Sequence, residues 1–129
     1  MVQVAAALIR RDNTFMICRR PPHKARGNLW EFVGGKSEKG ETLPETLKRE
    51  CMEELDAKIE VDDIYMEVDH IYPDISIHLT LFNARLLPGE EPKMIEHTDI
   101  KFITAEEIGN YEFCPADKDI LEKIKKEGF

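Results

Sequence analysis

Long apolar runs are absent. No stretch of the 129-residue chain approaches the roughly 18 consecutive apolar residues of a membrane-spanning helix. Residues 1–11 lack the basic-then-apolar order of a secretory signal. Cysteine is scarce: Cys18, Cys51 and Cys114 are odd in number and form no CxxC pair. That argues against a disulfide framework or a zinc knuckle, and the three read as buried, reduced thiols of a cytoplasmic protein. The four histidines, His23, His70, His78 and His97, show no HxxxH spacing, so no histidine metal site is expected. The Asp-rich loop of an EF-hand is missing, as are internal repeats, low-complexity tracts and long linkers. One domain spanning 1–129 is expected. Positive charge is in deficit, with 18 Lys and Arg against 26 Asp and Glu, net −8. A stable nucleic-acid binder would need a basic face, so that class is excluded.

What charge there is lies unevenly. Residues 1–35 carry six bases (Arg10, Arg11, Arg19, Arg20, Lys24, Arg26) and two acids (Asp12, Glu31), net +4. The other 94 residues therefore carry −12.

Residues 2–9 and 15–18 are apolar enough for two strands joined by the turn chemistry of Arg11-Asp12-Asn13. Residues 19–28, with Pro21-Pro22 and Gly27, read as a basic loop, and residues 30–33 as a short strand running into Gly34-Gly35. Thr42 with Glu45 forms a capping box, and Leu43, Leu47, Cys51 and Leu55 recur every four residues, which predicts a helix ending at Asp56. Strand-like stretches follow at 58–61, 64–72, 75–87 and 101–103. Thr104 with Glu107 predicts a second capped helix, and residues 115–126 a last amphipathic one with Ile120, Leu121 and Ile124 inward. Strands flanking two or three helices without regular alternation predict an α/β (α+β) chain, a mixed sheet with helices on its faces.

The first helix carries more than structure. Glu50, Glu53 and Glu54 stand at i, i+3 and i+4, on one stripe beside the apolar one. Like charges at that spacing repel. A solvated acidic face would be the plain explanation, yet these glutamates border the buried side. Binding a hard cation would offset the repulsion, and Mg²⁺ prefers oxygen ligands while keeping waters and meeting substrate phosphates.

The spacing G-x5-E-x7-RE-u-x-EE-x-G-u, with u aliphatic, is the Nudix box, and Gly35, Glu41, Arg49, Glu50, Glu53 and Glu54 fall on its specified positions. Cys51 and Ala57 stand at aliphatic positions and Asp56 where Gly is usual. The segment 28–42 also resembles the EFPGGKxExGE stretch of MutT-type enzymes, with Val33 in place of Pro, as do Arg19-Arg20 and Pro115-Ala116-Asp117. The chain thus resembles the MutT-like Nudix hydrolases over most of its length, which implies the Nudix fold, an α/β/α sandwich around a mixed sheet.

The resemblance implies Mg²⁺-dependent hydrolysis of nucleoside triphosphates to monophosphate and pyrophosphate, with Mn²⁺ as the substitute ion. It implies Glu50 and Glu54 as metal ligands, Glu53 as a third ligand or base, and the Gly35 carbonyl in the same shell. Glu50 is a second candidate base, Arg49 orients the glutamates, and Glu41 stands behind them. Glu96 aligns with a loop glutamate that assists metal or water; a surface acid is its alternative. Among the basic loop residues Arg19, Arg20, Lys24 and Arg26, phosphate contact is expected first of Arg20. Asp117 falls where the family reads the base; its alternative is a helix N-cap or first-turn acid. Phe82 is a candidate to stack on the base, or else a core residue. The substrate expected first is 8-oxo-dGTP; a CTP or modified-pyrimidine triphosphate is the alternative. A non-catalytic nucleotide sensor is less consistent with an intact box. A monomer or small homo-oligomer is expected.

Overall fold

The first strand decides the layering. In β1 (Val2–Arg11), Ala5, Ala7 and Ile9 enter one buried cluster while Ala6 and Leu8 enter another. Successive side chains of a strand point to opposite faces. A strand apolar on both faces must lie centrally, covered on each side. Helix α1 (Leu43–Leu55) closes the first cluster with Leu47, Cys51 and Leu55. Helix α2 (Lys118–Glu127) closes the second with Ile120, Leu121 and Ile124. The result is the expected α/β/α sandwich. The structure, a computed structural model, describes residues 1–128. Among them no helix is long and apolar enough to cross a membrane.

The remaining strands are β2 (Thr14–Arg19), β3 (Trp30–Glu31), β4 (Val33–Lys36), β5 (Ile59–Ile71), β6 (Ser76–Leu86) and β7 (Asp99–Ile103). They run in the order β3-β2-β1-β6-β5, with β4 added on β1 and β7 on β2. β1 and β6 are parallel and the other pairs antiparallel. β1 changes partner along its length: Val4–Ala7 pair with β4, and Arg10–Arg11 with β2. The sheet divides between those pairings, and the functional cleft lies beside the division.

This split corrects the single strand expected at 30–33. It breaks at Phe32 because its halves pair with different partners, β3 with β2 and β4 with β1. The separate stretches expected at 58–61 and 64–72 form one strand with register shifts between Val61 and Met66. The second capping motif is present, with the Thr104 N–H donating to Glu107 Oε1 at 2.9 Å, but it opens a 3₁₀ helix, Ala105–Asn110. The last helix begins with a separate 3₁₀ turn, Pro115–Asp117.

At the start of α1 the Glu45 N–H donates to Thr42 Oγ1 at 3.2 Å, and the Thr42 N–H to Glu45 Oε1 at 2.8 Å. Its end is Asp56 in the left-handed region, φ 48 and ψ 45. That conformation suits glycine better than any residue with a Cβ. Asp56→Gly is therefore expected to stabilise the protein by about 0.5 kcal/mol, a Tm rise of about 2 °C in calorimetry, with activity retained.

Candidate active site

Five chain segments build the cleft, one of them the turn between β5 and β6 with Asp74 and Ile75. The segment from β3 to β4 crosses the division in the sheet and supplies Glu31, Gly34, Gly35 and Lys36. Helix α1 supplies Glu50, Glu53 and Glu54. The loop 20–29 is drawn closed by the Arg20 N–H to Leu29 carbonyl and Asn28 N–H to Arg20 carbonyl bonds, both 2.9 Å. The loop 88–98 is pinned at one end by the Lys93 N–H on the Leu55 carbonyl at 2.8 Å, and at the other by the Thr98 N–H on the Arg19 carbonyl at 3.1 Å. These pins set Glu96 and His97 against the helix.

The glutamates of α1 take three environments. Glu50 is largely buried, and its carboxylate covers Gly35: a Cβ on that glycine would fall 2.5 Å from Glu50 Oε1. Glu53 lies outside, its carboxylate 57% exposed. Glu54 is 13% exposed, and its Oε2 is buried without a hydrogen-bond partner among the described residues. Burial, then the neighbouring Glu50 and Glu31 carboxylates, push Glu54 up to about 9.

Arg49 bonds to Glu41, Glu50 and Glu53 along this wall. Its Nε and Nη2 donate to the two oxygens of Glu41 at 2.7 and 3.0 Å, and Nη1 to Glu50 at 2.9 Å and Glu53 at 3.2 Å. Nη2 also meets the Lys36 carbonyl at 3.2 Å. Glu41 in turn accepts from Thr46 Oγ1 at 2.9 Å and the Glu38 N–H at 2.9 Å. The Arg49 bond is the main cause that brings Glu41 down to about 2. Glu41 thus meets the wall through Arg49.

Two residues join this site that spacing does not single out. Glu31 accepts from Arg20 Nη1 at 2.8 Å and lies 3.1 Å from His97 Nε2. His97 is buried, and its Nε2 is also 3.6 Å from Glu54 Oε1. Its one Nε2 hydrogen bond goes to Glu31, and its Nδ1 has no partner. Arg20, Glu31, His97 and Glu54 therefore form a continuous polar row along the back of the cleft. A sequence signal exists for each: Glu31 stands inside the segment resembling MutT-type enzymes, and His97 follows Glu96. No spacing rule ties them, because they arrive from different elements.

The other expected residues fall as follows. Glu96 lines the cleft and is ion-paired with Lys24, which holds its carboxylate below the usual range. Arg20 lines it too, anchored to the Ala25 carbonyl at 2.9 Å. Asp117 is 3% exposed; it stands at the N-cap position of α2 and in the first turn of the preceding 3₁₀ segment, as its alternative reading has it, but its side chain makes no cap hydrogen bond. It lines a deeper cavity beside the wall, with Tyr72, Ile77, Leu79, Cys114 and Ala116. The Trp30–Phe113 bridge brings it there, closed by the Trp30 N–H on the Glu112 carbonyl and the Cys114 N–H on the Trp30 carbonyl, both 2.9 Å. Asp117 Oδ2 has no partner, and burial, then Glu31, push this carboxyl well up, with Arg20 opposing. Phe82 is corrected: it is buried in the layer facing α1, not in the cleft. The two-residue period of β6 puts it on the opposite face from Ile77 and Leu79.

The donor set suits a hard cation. Glu54 offers a buried, unpaired oxygen, and Glu50 lies directly against Gly35. Among the described residues no group of three or more His, Cys, Asp or Glu side chains is arranged to hold a metal ion by itself. An open wall of carboxylates is what Mg²⁺ needs, since it keeps several waters and shares substrate phosphates.

The comparisons with known proteins agree with this geometry. Residues 4–123 match the NUDIX domain family. The chain is 32% identical over 122 residues to a CTP pyrophosphohydrolase of Escherichia coli, covering 95% of this chain and 90% of that one. It is 34% identical over 130 residues to a putative 8-oxo-dGTP diphosphatase 2 of Mycobacterium tuberculosis, covering 97% and 88%. It superposes with a TM-score of 0.74 and 32% identity on the solution structure of a DNA mismatch repair protein MutT from methicillin-resistant Staphylococcus aureus 252, over 98% of this chain and 97% of that one. By its domain match, its relatives and its α/β/α frame the chain is MutT-like and belongs to the Nudix family of hydrolases.

Proposed function

We propose that this enzyme, acting as a single cytoplasmic domain over residues 1–129, hydrolyses a nucleoside triphosphate to monophosphate and pyrophosphate, with 8-oxo-dGTP its first substrate. Nudix hydrolases act on nucleotides and generally use divalent metal ions. In this reading Glu50, Glu54 and the Gly35 carbonyl hold Mg²⁺ or Mn²⁺, and Glu53, the exposed member of the stripe, is a third ligand or base. The bound ion neutralises phosphate oxygens and makes water a better nucleophile. Glu50 is the other candidate, beside Glu53, to take the proton of the attacking water. Arg49 keeps the glutamates from splaying under their mutual repulsion. Arg20, held by Glu31, presents its guanidinium to the phosphates. Glu96 is poised at the rim through Lys24 and orients water from the opposite side.

Asp117 is the observation that carries the choice of base. Its environment favours the neutral acid, which offers one O–H donor and one acceptor side by side. Guanine presents two acceptors on that edge, O6 and N7. Oxidation at C8 places a hydrogen on N7, so 8-oxoguanine presents an acceptor and a donor and complements the acid. Cytosine, with N3 and its N4 amino group, presents the same pair. The cytosine reading therefore stands second, and the similarity to a CTP pyrophosphohydrolase favours keeping it.

The test is kcat/KM on 8-oxo-dGTP, dGTP, CTP and 5-methyl-CTP for the wild type and Asp117→Ala. 8-oxo-dGTP is expected to exceed dGTP clearly, and Asp117→Ala to lose about 10–100-fold on the preferred substrate. A preference for CTP over 8-oxo-dGTP would replace the first reading with the second. Equal rates on 8-oxo-dGTP and dGTP would refute reading of the O6–N7 edge by Asp117.

A further inference from the structure

Arg26 stands where the deep cavity of Asp117 meets the carboxylate-lined basin, and it borders both. Its backbone lies in the left-handed region, φ 58, without being glycine. Such a conformation persists only where the surroundings impose it, and it concentrates at functional positions. Here it accompanies a side chain that crosses the mouth of the cleft. The guanidinium lies 3.9 Å over the ring of Tyr72, and Nη1 donates to Asp74 Oδ1 at 3.0 Å. Tyr72 is itself fixed, its hydroxyl accepting from the Ala116 N–H at 2.9 Å, next to Asp117. One stack thus links the basic loop to the base-reading end of the cleft.

The partners of Arg20 and Arg26 differ in how readily they let go. Arg20 is tied to the Ala25 carbonyl and to Glu31, which is 21% exposed. Arg26 has Asp74, which is 54% exposed. An ion pair with so wet a partner contributes little and is readily exchanged. A phosphate is a stronger acceptor of the guanidinium fork than a solvated carboxylate. Stacking on Tyr72 keeps the group in place during the exchange.

We propose that Arg26 is a substrate-binding residue of this hydrolase that leaves Asp74 to grip the polyphosphate, with Asp74 acting as its internal competitor. The proposal rests on the nucleotide reading above and deepens it. It also yields a sign that a plain strap across the cleft would not give. Asp74→Asn removes the competitor and tightens polyphosphate binding, whereas breaking a strap would loosen it.

The experiment uses the full chain with Mg²⁺ and four forms: wild type, Arg26→Ala, Asp74→Asn and the double variant. KM and kcat are measured on 8-oxo-dGTP and CTP, and the Kd of inorganic tripolyphosphate by calorimetry. Arg26→Ala is expected to raise KM and the tripolyphosphate Kd about tenfold, with a much smaller fall in kcat. Asp74→Asn is expected to lower both by about threefold, and to give no gain in the Arg26→Ala background. The proposal is overturned if Asp74→Asn weakens binding as Arg26→Ala does, since that is a strap. It is also overturned if Asp74→Asn tightens binding equally without Arg26, since that is general charge, or if Arg26→Ala leaves the tripolyphosphate Kd unchanged. Should the wild type turn over no nucleotide, the substrate reading fails, while the tripolyphosphate cycle still decides the role of Arg26.

Discussion

Replacing Glu54 by Gln is expected to lower kcat by about 10³-fold or more and, in the absence of divalent metal, to raise the melting temperature at pH 8. The two effects have one cause. Glu54 is buried beside Glu50 and Glu31, with one oxygen unpaired, so as an anion it is expensive until a cation meets it. Its value in the folded protein, about 9, lies far above the ordinary 4.5 of a glutamate. Between those values the folded protein retains a proton that the unfolded chain releases, so stability falls as pH rises through that window. Gln has the same shape without the charge, which removes this pH dependence and is expected to raise Tm by about 3–5 °C. It also removes a ligand, and metal-derived stabilisation worth several kcal/mol corresponds to that loss of rate. Thermal melts at pH 5 and pH 8, with and without Mg²⁺, check the argument. Mg²⁺ should stabilise the wild type at pH 8 and the variant far less. Wild-type turnover in Glu54→Gln would refute the ligand assignment.

The second large effect separates two adjacent glycines. A Cβ on Gly34 would strike the Ala5 carbonyl and approach Ala6 Cα to 2.7 Å. Both belong to the backbone of β1, which is paired with β4 and covered on both faces, and neither can give. Gly34→Ala is expected to cost about 3–5 kcal/mol, much of the roughly 5–15 kcal/mol typical of a domain, and to yield little folded protein. A Cβ on Gly35 would strike the Glu50 carboxylate, the far end of a flexible side chain. Gly35→Ala is therefore expected to stay folded and to lose about 10²-fold in kcat, because a displacement of about 1 Å at a reacting group costs that much. Circular dichroism, melting temperature and kcat on both variants test the pair. Comparable stability in the two would show that the strands can move apart.

The parts of the site that are legible in the amino-acid order share one property: each follows a short-range rule. Thr42, Glu45 and the four-residue apolar stripe define α1 within itself. Once the helix exists, Glu50 and Glu54 must lie on one side of it, and Arg49 must reach Glu53 one turn on. Strand patterns are readable where pairing is simple. They mislead at Phe32 and across residues 61–66, because a split or a bulge depends on the partner strands. Phe82 is ambiguous for the same reason, since alternation places it on one face of β6 without saying which face meets the cleft. Proline and spacing mark the segment that ends at Asp117. Only the bridge between Trp30 and Phe113 takes its carboxyl away from the helix end and into the cavity.

Amino-acid order is thus sufficient for the helix with its carboxylate stripe and for the family, because these depend on spacings of a few residues along one chain segment. Folding in three dimensions was needed to settle that Glu31 and His97 back Glu54, that Arg26 crosses to Asp74, and that Asp117 stands unpaired in a buried cavity. The Arg26–Asp74 and Glu31–His97 contacts join residues 48 and 66 positions apart. Their effect comes from burial, which sets the cost of a charge and exists only once the layers have closed.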